Sequence, residues 1–68
     1  MQNLQSDLKT VFGKEPRETN DFLKLNLKKI QREELKKLSI LELKHRKDIK
    51  NLEIKRSGTG LVIVIELN

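Results

Sequence analysis

The sequence predicts one small domain of the α+β class, spanning residues 1–68. Three observations support this class. Apolar residues recur at helical spacing near the N-terminus, a longer helical stripe runs through the middle, and two strand-like segments flank a glycine-containing turn near the C-terminus. A chain of 68 residues can form one hydrophobic core at most, and such a core is marginal without a partner subunit.

The first predicted element is a short amphipathic helix in residues 1–13. Its apolar face is formed by Leu4, Leu8, Val11 and Phe12. Gly13 follows as a C-terminal cap. Residues 14–20 are then expected to form a loop, because Pro16 disfavours helical backbone at the residue before it.

Residues 21–51 are predicted to be mainly helical, with a long or broken amphipathic helix over about 29–50. On a helical wheel, eight apolar residues fall within an arc of roughly 140°. They are Leu23, Leu27, Ile30, Leu35, Leu38, Leu41, Ile49 and Leu52. Two alternatives stay open. The alternation of residues 22–28 also suits a strand, and Ser39–Glu42 has the pattern of a capping box that would break the helix.

Residues 52–67 form the predicted β-hairpin. The glycines of Ser57–Gly60 suit a tight reversal, and this is a far more frequent role than a phosphate cradle, because no helix follows. The first arm alternates in polarity, whereas the second has five consecutive apolar residues. They are Leu61, Val62, Ile63, Val64 and Ile65. A strand that is apolar on both faces needs a layer on each side, so we expect these five residues to contact a second copy, in a homodimer, or another protein.

Helix, optional strand, helix and hairpin is also the order of elements in winged helix-turn-helix domains. We take this as a similarity of architecture alone. The three- to four-residue turn with glycine between the helices is missing, and Ser39 would have to serve in its place.

The net charge of +5 is concentrated in residues 24–50, which carry ten basic and four acidic residues. Seven of the basic residues fall within roughly 100° of the wheel, opposite the apolar stripe and with no acidic residue among them. They are Lys28, Lys29, Arg32, Lys36, Arg46, Lys47 and Lys50. On a continuous helix this row would be about 33 Å long, close to one turn of duplex DNA at about 34 Å.

The sequence therefore predicts a small non-enzymatic protein, with an expected regulatory role, that binds nucleic acid through a basic helix face. A row of cations attracts phosphate by releasing counter-ions. Duplex DNA is favoured over single strands, because the chain has no Trp or Tyr on which bases could stack. The alternative is a protein–protein interaction module (an adaptor, inhibitor or assembly subunit) that binds through the apolar C-terminal strand.

No catalytic residue, metal ligand, cofactor or small-molecule substrate is predicted. His45 falls within the apolar stripe, where we expect a histidine at the edge of the core with one satisfied nitrogen. The chain has no Cys, which excludes a disulfide and is compatible with a reducing cytoplasm. We expect a cytoplasmic protein, because no signal peptide follows Met1 and the longest apolar run is too short to span a membrane.

Overall fold

The computed structural model describes residues 3–68, which form two helices and a four-stranded antiparallel sheet. The elements are α1 (Asn3–Phe12), β1 (Arg17–Thr19), β2 (Phe22–Leu27), α2 (Arg32–Lys44), β3 (Ile49–Ser57) and β4 (Gly60–Leu67). The strands lie in the order β1, β2, β4, β3, so that two hairpins meet along β2 and β4. The α+β class is confirmed, and a winged-helix arrangement is not confirmed.

The predicted helix over 1–13 corresponds to α1, with positions 1 and 2 outside the described residues. The helix ends at Gly13, whose φ of +74° is the left-handed conformation common after a helix. Its N–H donates to the Lys9 carbonyl at 2.7 Å. The predicted loop over 14–20 contains the short strand β1, and Asn20 (φ +52°) turns the chain into β2.

The middle of the chain is less helical than the prediction for 21–51. Residues 22–27, for which strand and helix are both open in the sequence, form β2, and residues 49–50 begin β3. The helix predicted over about 29–50 is the shorter α2, and it continues through Ser39 without a break. A strand face repeats every two residues and therefore also every four, so Leu23 and Leu27 fit a helical stripe as well as a strand.

α2 starts after Gln31, well before Ser39, where the sequence leaves a capping box open as an alternative. The Glu34 carboxylate accepts a hydrogen bond from the Gln31 N–H at 2.9 Å, and the Gln31 carbonyl accepts the first helical bond, from the Leu35 N–H at 3.0 Å. The Glu34 side chain thus satisfies a backbone donor that the helix itself leaves unpaired. This contact fixes the point at which the chain leaves its extended form after β2.

Both helices pack on one face of the sheet, which we call the inner face. Nine buried apolar residues form the core: Leu4, Leu8, Leu23, Leu25, Leu38, Leu41, Ile49, Ile63 and Ile65. The register pairs Leu23 with Ile65 and Leu25 with Ile63, so that alternate residues of β2 and β4 lie beneath the helices. The intervening residues lie on the opposite, outer face.

The five apolar residues of β4 are divided between the two faces. Ile63 and Ile65 are each 1% exposed beneath the helices, and Leu61 shares their face. Only Val62 and Val64 lie on the outer face, where both are partly exposed. An interface formed by all five residues therefore does not hold, because the chain's own helices cover the inner face. A strand of another protein cannot pair with β4 either, since β4 already pairs with β2 on one edge and with β3 on the other.

A polar contact joins the two helices. Asp7 Oδ2 on α1 lies 2.8 Å from His45 Nε2 at the end of α2, and it accepts a hydrogen bond from Lys44 Nζ at 3.2 Å. His45 is 8% exposed, which places it at the edge of the core, as predicted. The hydrogen bond with His45, and then that with Lys44, lower the pKa of the Asp7 carboxyl below its usual value.

We predict that Asp7 stabilises the fold at neutral pH and loses this effect in acid. Because its pKa is lower in the folded than in the unfolded chain, where it is about 3.9, the stabilisation is complete above that value and disappears as the pH falls through the folded pKa. Urea unfolding followed by circular dichroism should find Asp7→Asn less stable than the wild type at neutral pH. This difference should shrink as the pH falls towards about 2. An equal difference at all pH values would contradict the assignment, and Asp21→Asn, which removes an exposed carboxylate, is the control.

A second prediction tests the division of β4 between two faces. Ile63→Ala should lower the free energy of unfolding by about 2–5 kcal/mol, because it leaves a cavity beneath the helices. Val62→Ala, one residue earlier on the outer face, should cost less than about 1 kcal/mol. Denaturant titrations of both variants provide the measurement. Similar losses for the two would show that both faces are covered.

Candidate nucleic-acid interface

The structure distributes the seven residues of the predicted basic row over four segments. They are Lys28, Lys29, Arg32, Lys36, Arg46, Lys47 and Lys50. The first two follow β2, the next two lie on α2, the next two lie in the turn after α2, and the last lies on β3. A single helical row is therefore not present, because strands and turns replace the helix at both ends.

The helix itself is too short, and its charge too mixed, for the predicted row. α2 has 13 residues and is about 20 Å long at 1.5 Å per residue. Of the seven basic residues, only Arg32 and Lys36 lie on it. The same helix carries three acidic residues: Glu33, Glu34 and Glu42. A phosphate backbone along α2 would meet both signs of charge.

The cations at the two ends of the row lie at opposite ends of the sheet. The Lys47 carbonyl accepts a hydrogen bond from Asn68 Nδ2 at 2.9 Å, so that Arg46 and Lys47 lie where β4 ends. Lys50 Nζ, nearby on β3, lies 3.8 Å from a Glu66 carboxylate oxygen. Lys28 and Lys29 lie instead at the other end, beside the β3–β4 turn. We call this the turn end.

Two glycines build the turn end. Gly58, the first of the two turn residues, has φ +62° while Thr59 keeps a negative φ, the combination found in type II′ hairpin turns. Gly60, the first residue of β4, packs directly against β2: a Cβ atom there would lie 2.5 Å from the Leu27 carbonyl oxygen. Since only glycine permits this approach, Gly60 brings the chain after β2 beside the hairpin. We call residues 28–30 of this chain the Lys28 segment.

Three adjoining concave surfaces run from the turn end along β2 to β1. The first, of about 450 Å³, lies between the Lys28 segment and the hairpin turn. The second shares Lys28 with the first, and the third shares Lys14 with the second. Six basic residues line the three surfaces and form what we call the basic rim: Lys14, Arg17, Lys24, Lys28, Lys29 and Arg56.

Carboxylates are nearly absent from the lining of these surfaces. Among the described residues that line them, Glu15 is the acidic one, and its carboxylate lies 3.5 Å from Lys9 Nζ, outside the rim. Lys14 Nζ is oriented by a hydrogen bond of 2.7 Å to the Asn26 carbonyl. The rim is therefore a predominantly positive surface, whose cations could replace the counter-ions condensed on the phosphates of a nucleic acid.

Two of the six rim residues, Lys28 and Lys29, belong to the basic row predicted from the sequence. The other four are Lys14, Arg17, Lys24 and Arg56. These come from four separate segments, before β1, on β1, on β2 and on β3, and strand pairing brings them together. No local spacing in the sequence marks them as a group. A helical wheel finds only cations that lie on one helix.

The fold and the rim define a small α+β protein with a cationic surface that extends from the turn end of its sheet along β2 to β1. No protein-family model matches the chain, and no curated protein and no solved structure matches it either. Neither helix among residues 3–68 is long and apolar enough to cross a membrane.

We predict that Gly60→Ala destabilises the fold at the rim. The added Cβ would meet the Leu27 carbonyl, so β4 and β2 would have to separate there, at a cost of about 1–3 kcal/mol. Ser57→Ala, at the exposed partner of Gly60 in the hairpin register, is the control and should stay within about 0.5 kcal/mol of the wild type. Thermal and urea unfolding measure both. An unchanged stability of Gly60→Ala would contradict the close approach of the two strands.

Proposed function

We propose that this protein binds nucleic acid, and duplex DNA in particular, through the basic rim. The observation that carries the proposal is the set of six basic side chains on adjoining concave surfaces, with one acidic side chain that already contacts Lys9. Lys and Arg side chains neutralise phosphates and release counter-ions, which supplies most of the affinity for any sequence. The net charge of +5 supports association with a polyanion.

The rim extends across the whole sheet. Arg17 lies on β1 and Arg56 on β3, the two edges of the sheet. Through the strand register Arg17 is level with Glu53, three residues from Arg56. At about 4.8 Å per strand spacing and about 3.3 Å per residue, the two backbones are separated by about 17 Å. Cations spread over this distance can contact several phosphates of one polyanion.

A single strand is a poorer fit. Proteins that hold single strands without sequence preference stack the bases on aromatic side chains. None of the residues that line the rim is aromatic, and Phe22 pairs with Glu66 at the opposite end of the sheet. We propose a binding role without catalysis. A regulatory role in the cytoplasm, expected from the sequence, stays a prediction.

We predict that removal of rim charges weakens DNA binding more than removal of charges at the other end of the sheet. Lys28→Gln with Lys29→Gln should weaken binding of a labelled duplex by about tenfold or more, which corresponds to about 1.4 kcal/mol. The slope of log affinity against log salt should fall by about 1.8, since each phosphate contact contributes about 0.9. Fluorescence anisotropy over a range of salt concentrations measures both quantities.

The matched control removes the same two charges elsewhere. Arg46→Gln with Lys47→Gln changes the net charge equally, but both residues lie at the end of the sheet away from the rim. This variant should keep most of the affinity and of the salt slope. Equal losses in the two double variants would show that total charge and not the rim governs binding. A wild-type protein that binds no duplex at about 50 mM salt would remove the proposed function.

A further inference from the structure

β3 is an edge strand of nine residues, and no strand within residues 3–68 pairs with the edge of β3 that faces away from β4. The other edge, β1, has only three residues. A long edge presents a row of unpaired N–H and C=O groups that can pair with another strand. We propose that a second copy of this chain pairs antiparallel with β3, so that two four-stranded sheets join into one of eight strands. This interface does not depend on nucleic-acid binding.

The hairpin determines which backbone groups of β3 are open. Ser57 and Gly60 flank the two-residue turn and form the first hydrogen-bonded pair of the hairpin. Hydrogen-bonded and non-hydrogen-bonded pairs alternate along antiparallel strands. Positions 51, 53 and 55 therefore direct their N–H and C=O groups towards β4. Leu52, Ile54 and Arg56 direct theirs to the open edge.

The side chains select one register for two antiparallel copies. With the twofold axis at Ile54, Ile54 faces Ile54 of the second copy, and Leu52 faces its Arg56. On the outer face, Glu53 then lies opposite Lys55 of the second copy, and Lys55 opposite its Glu53. A twofold axis at Glu53 or at Lys55 would instead place two like charges directly opposite, which is destabilising.

The exposure of Ile54 supports the same register. Ile54 pairs with the buried Ile63 on the inner face, yet it is 40% exposed, because it lies at the edge of the sheet. In the dimer the two Ile54 side chains would lie side by side and cover each other. The exposed carboxylate of Glu53 and the Lys55 ammonium are now 3.4 Å apart within one strand, and each is free to turn to the second copy.

The ends of β3 restrict the pairing to its centre. The register of β3 with β4 shifts between Ile49 and Asn51, an irregularity that interrupts regular pairing at the start of the strand. Residues 52–56, which contain the self-complementary charges, lie within the regular part of the register, Asn51–Ser57. This interface takes the place of the homodimer that the sequence predicts through the apolar run of β4, a strand that is paired on both sides.

Charge reversal at the two positions tests the proposed register. Glu53→Lys places lysines opposite lysines, and Lys55→Glu places carboxylates opposite carboxylates. Each single variant should raise the dissociation constant of the dimer by about tenfold or more, since two cross-strand pairs turn from attractive to repulsive. An equimolar mixture of the two variants should restore the dimer, because the heterodimer again has opposite charges at both pairs. Sedimentation equilibrium with interference optics measures the masses without Trp or Tyr absorbance.

Two controls separate this interface from general effects. Glu42→Lys on α2 changes the net charge as much as Glu53→Lys, and it should leave the dissociation constant within about twofold of the wild type. Circular dichroism should find every variant folded. A wild-type protein with the mass of one chain at about 1 mM would overturn the proposal. A dimer whose affinity is unchanged in Glu53→Lys, or a mixture that stays monomeric, would also overturn it.

Discussion

The pairing of β2 with β4 is the interaction on which the rest of the structure depends. It joins the first hairpin to the second through six residue pairs, from Phe22–Glu66 to Leu27–Leu61. The pairing aligns buried side chains from parts of the chain that are about 40 residues apart, and it thereby forms the surface on which both helices pack. Neither hairpin alone offers the helices a sheet of useful width, and a two-stranded hairpin is only marginally stable in water. Local helix and turn signals are therefore necessary but insufficient for this fold.

The same pairing produces the basic rim. At its Leu27–Leu61 end, Gly60 lets β4 approach β2 so closely that the segment after β2 meets the hairpin turn. Cations from separate segments then share one surface, where they repel one another at low salt. Such repulsion opposes folding and must be offset by the core beneath the sheet. A surface that concentrates like charge at this cost is more easily understood as a binding surface than as a random distribution of lysines.

Elements with a purely local signal could be predicted from the sequence, and those that depend on distant contacts could not. The short helix follows from the spacing of Leu4 and Leu8, and the hairpin from its two glycines. The predicted extent of the middle helix was wrong because strand residues such as Leu23 also fit a helical stripe. Ile40 and Leu43, which are not among the eight residues of that stripe, are 62% and 70% exposed and lie on the solvent side of α2. The rim is assembled by sheet order, which no helical wheel contains.

The apolar run of β4 shows why an apolar pattern on both faces is weak support for a partner. Val64 lies between Lys24 and Glu53 in the register, and Val62 between Asn26 and Lys55, so long polar side chains flank both valines. Such neighbours shield part of a small apolar side chain with their methylene groups, and valine suits a strand whether or not a second layer covers it. Whether a strand can pair with a partner strand depends on its unpaired backbone N–H and C=O groups and not on the polarity of its side chains. By that criterion β4, which is apolar but central, is closed, whereas β3, which alternates in polarity but lies at the edge, is open.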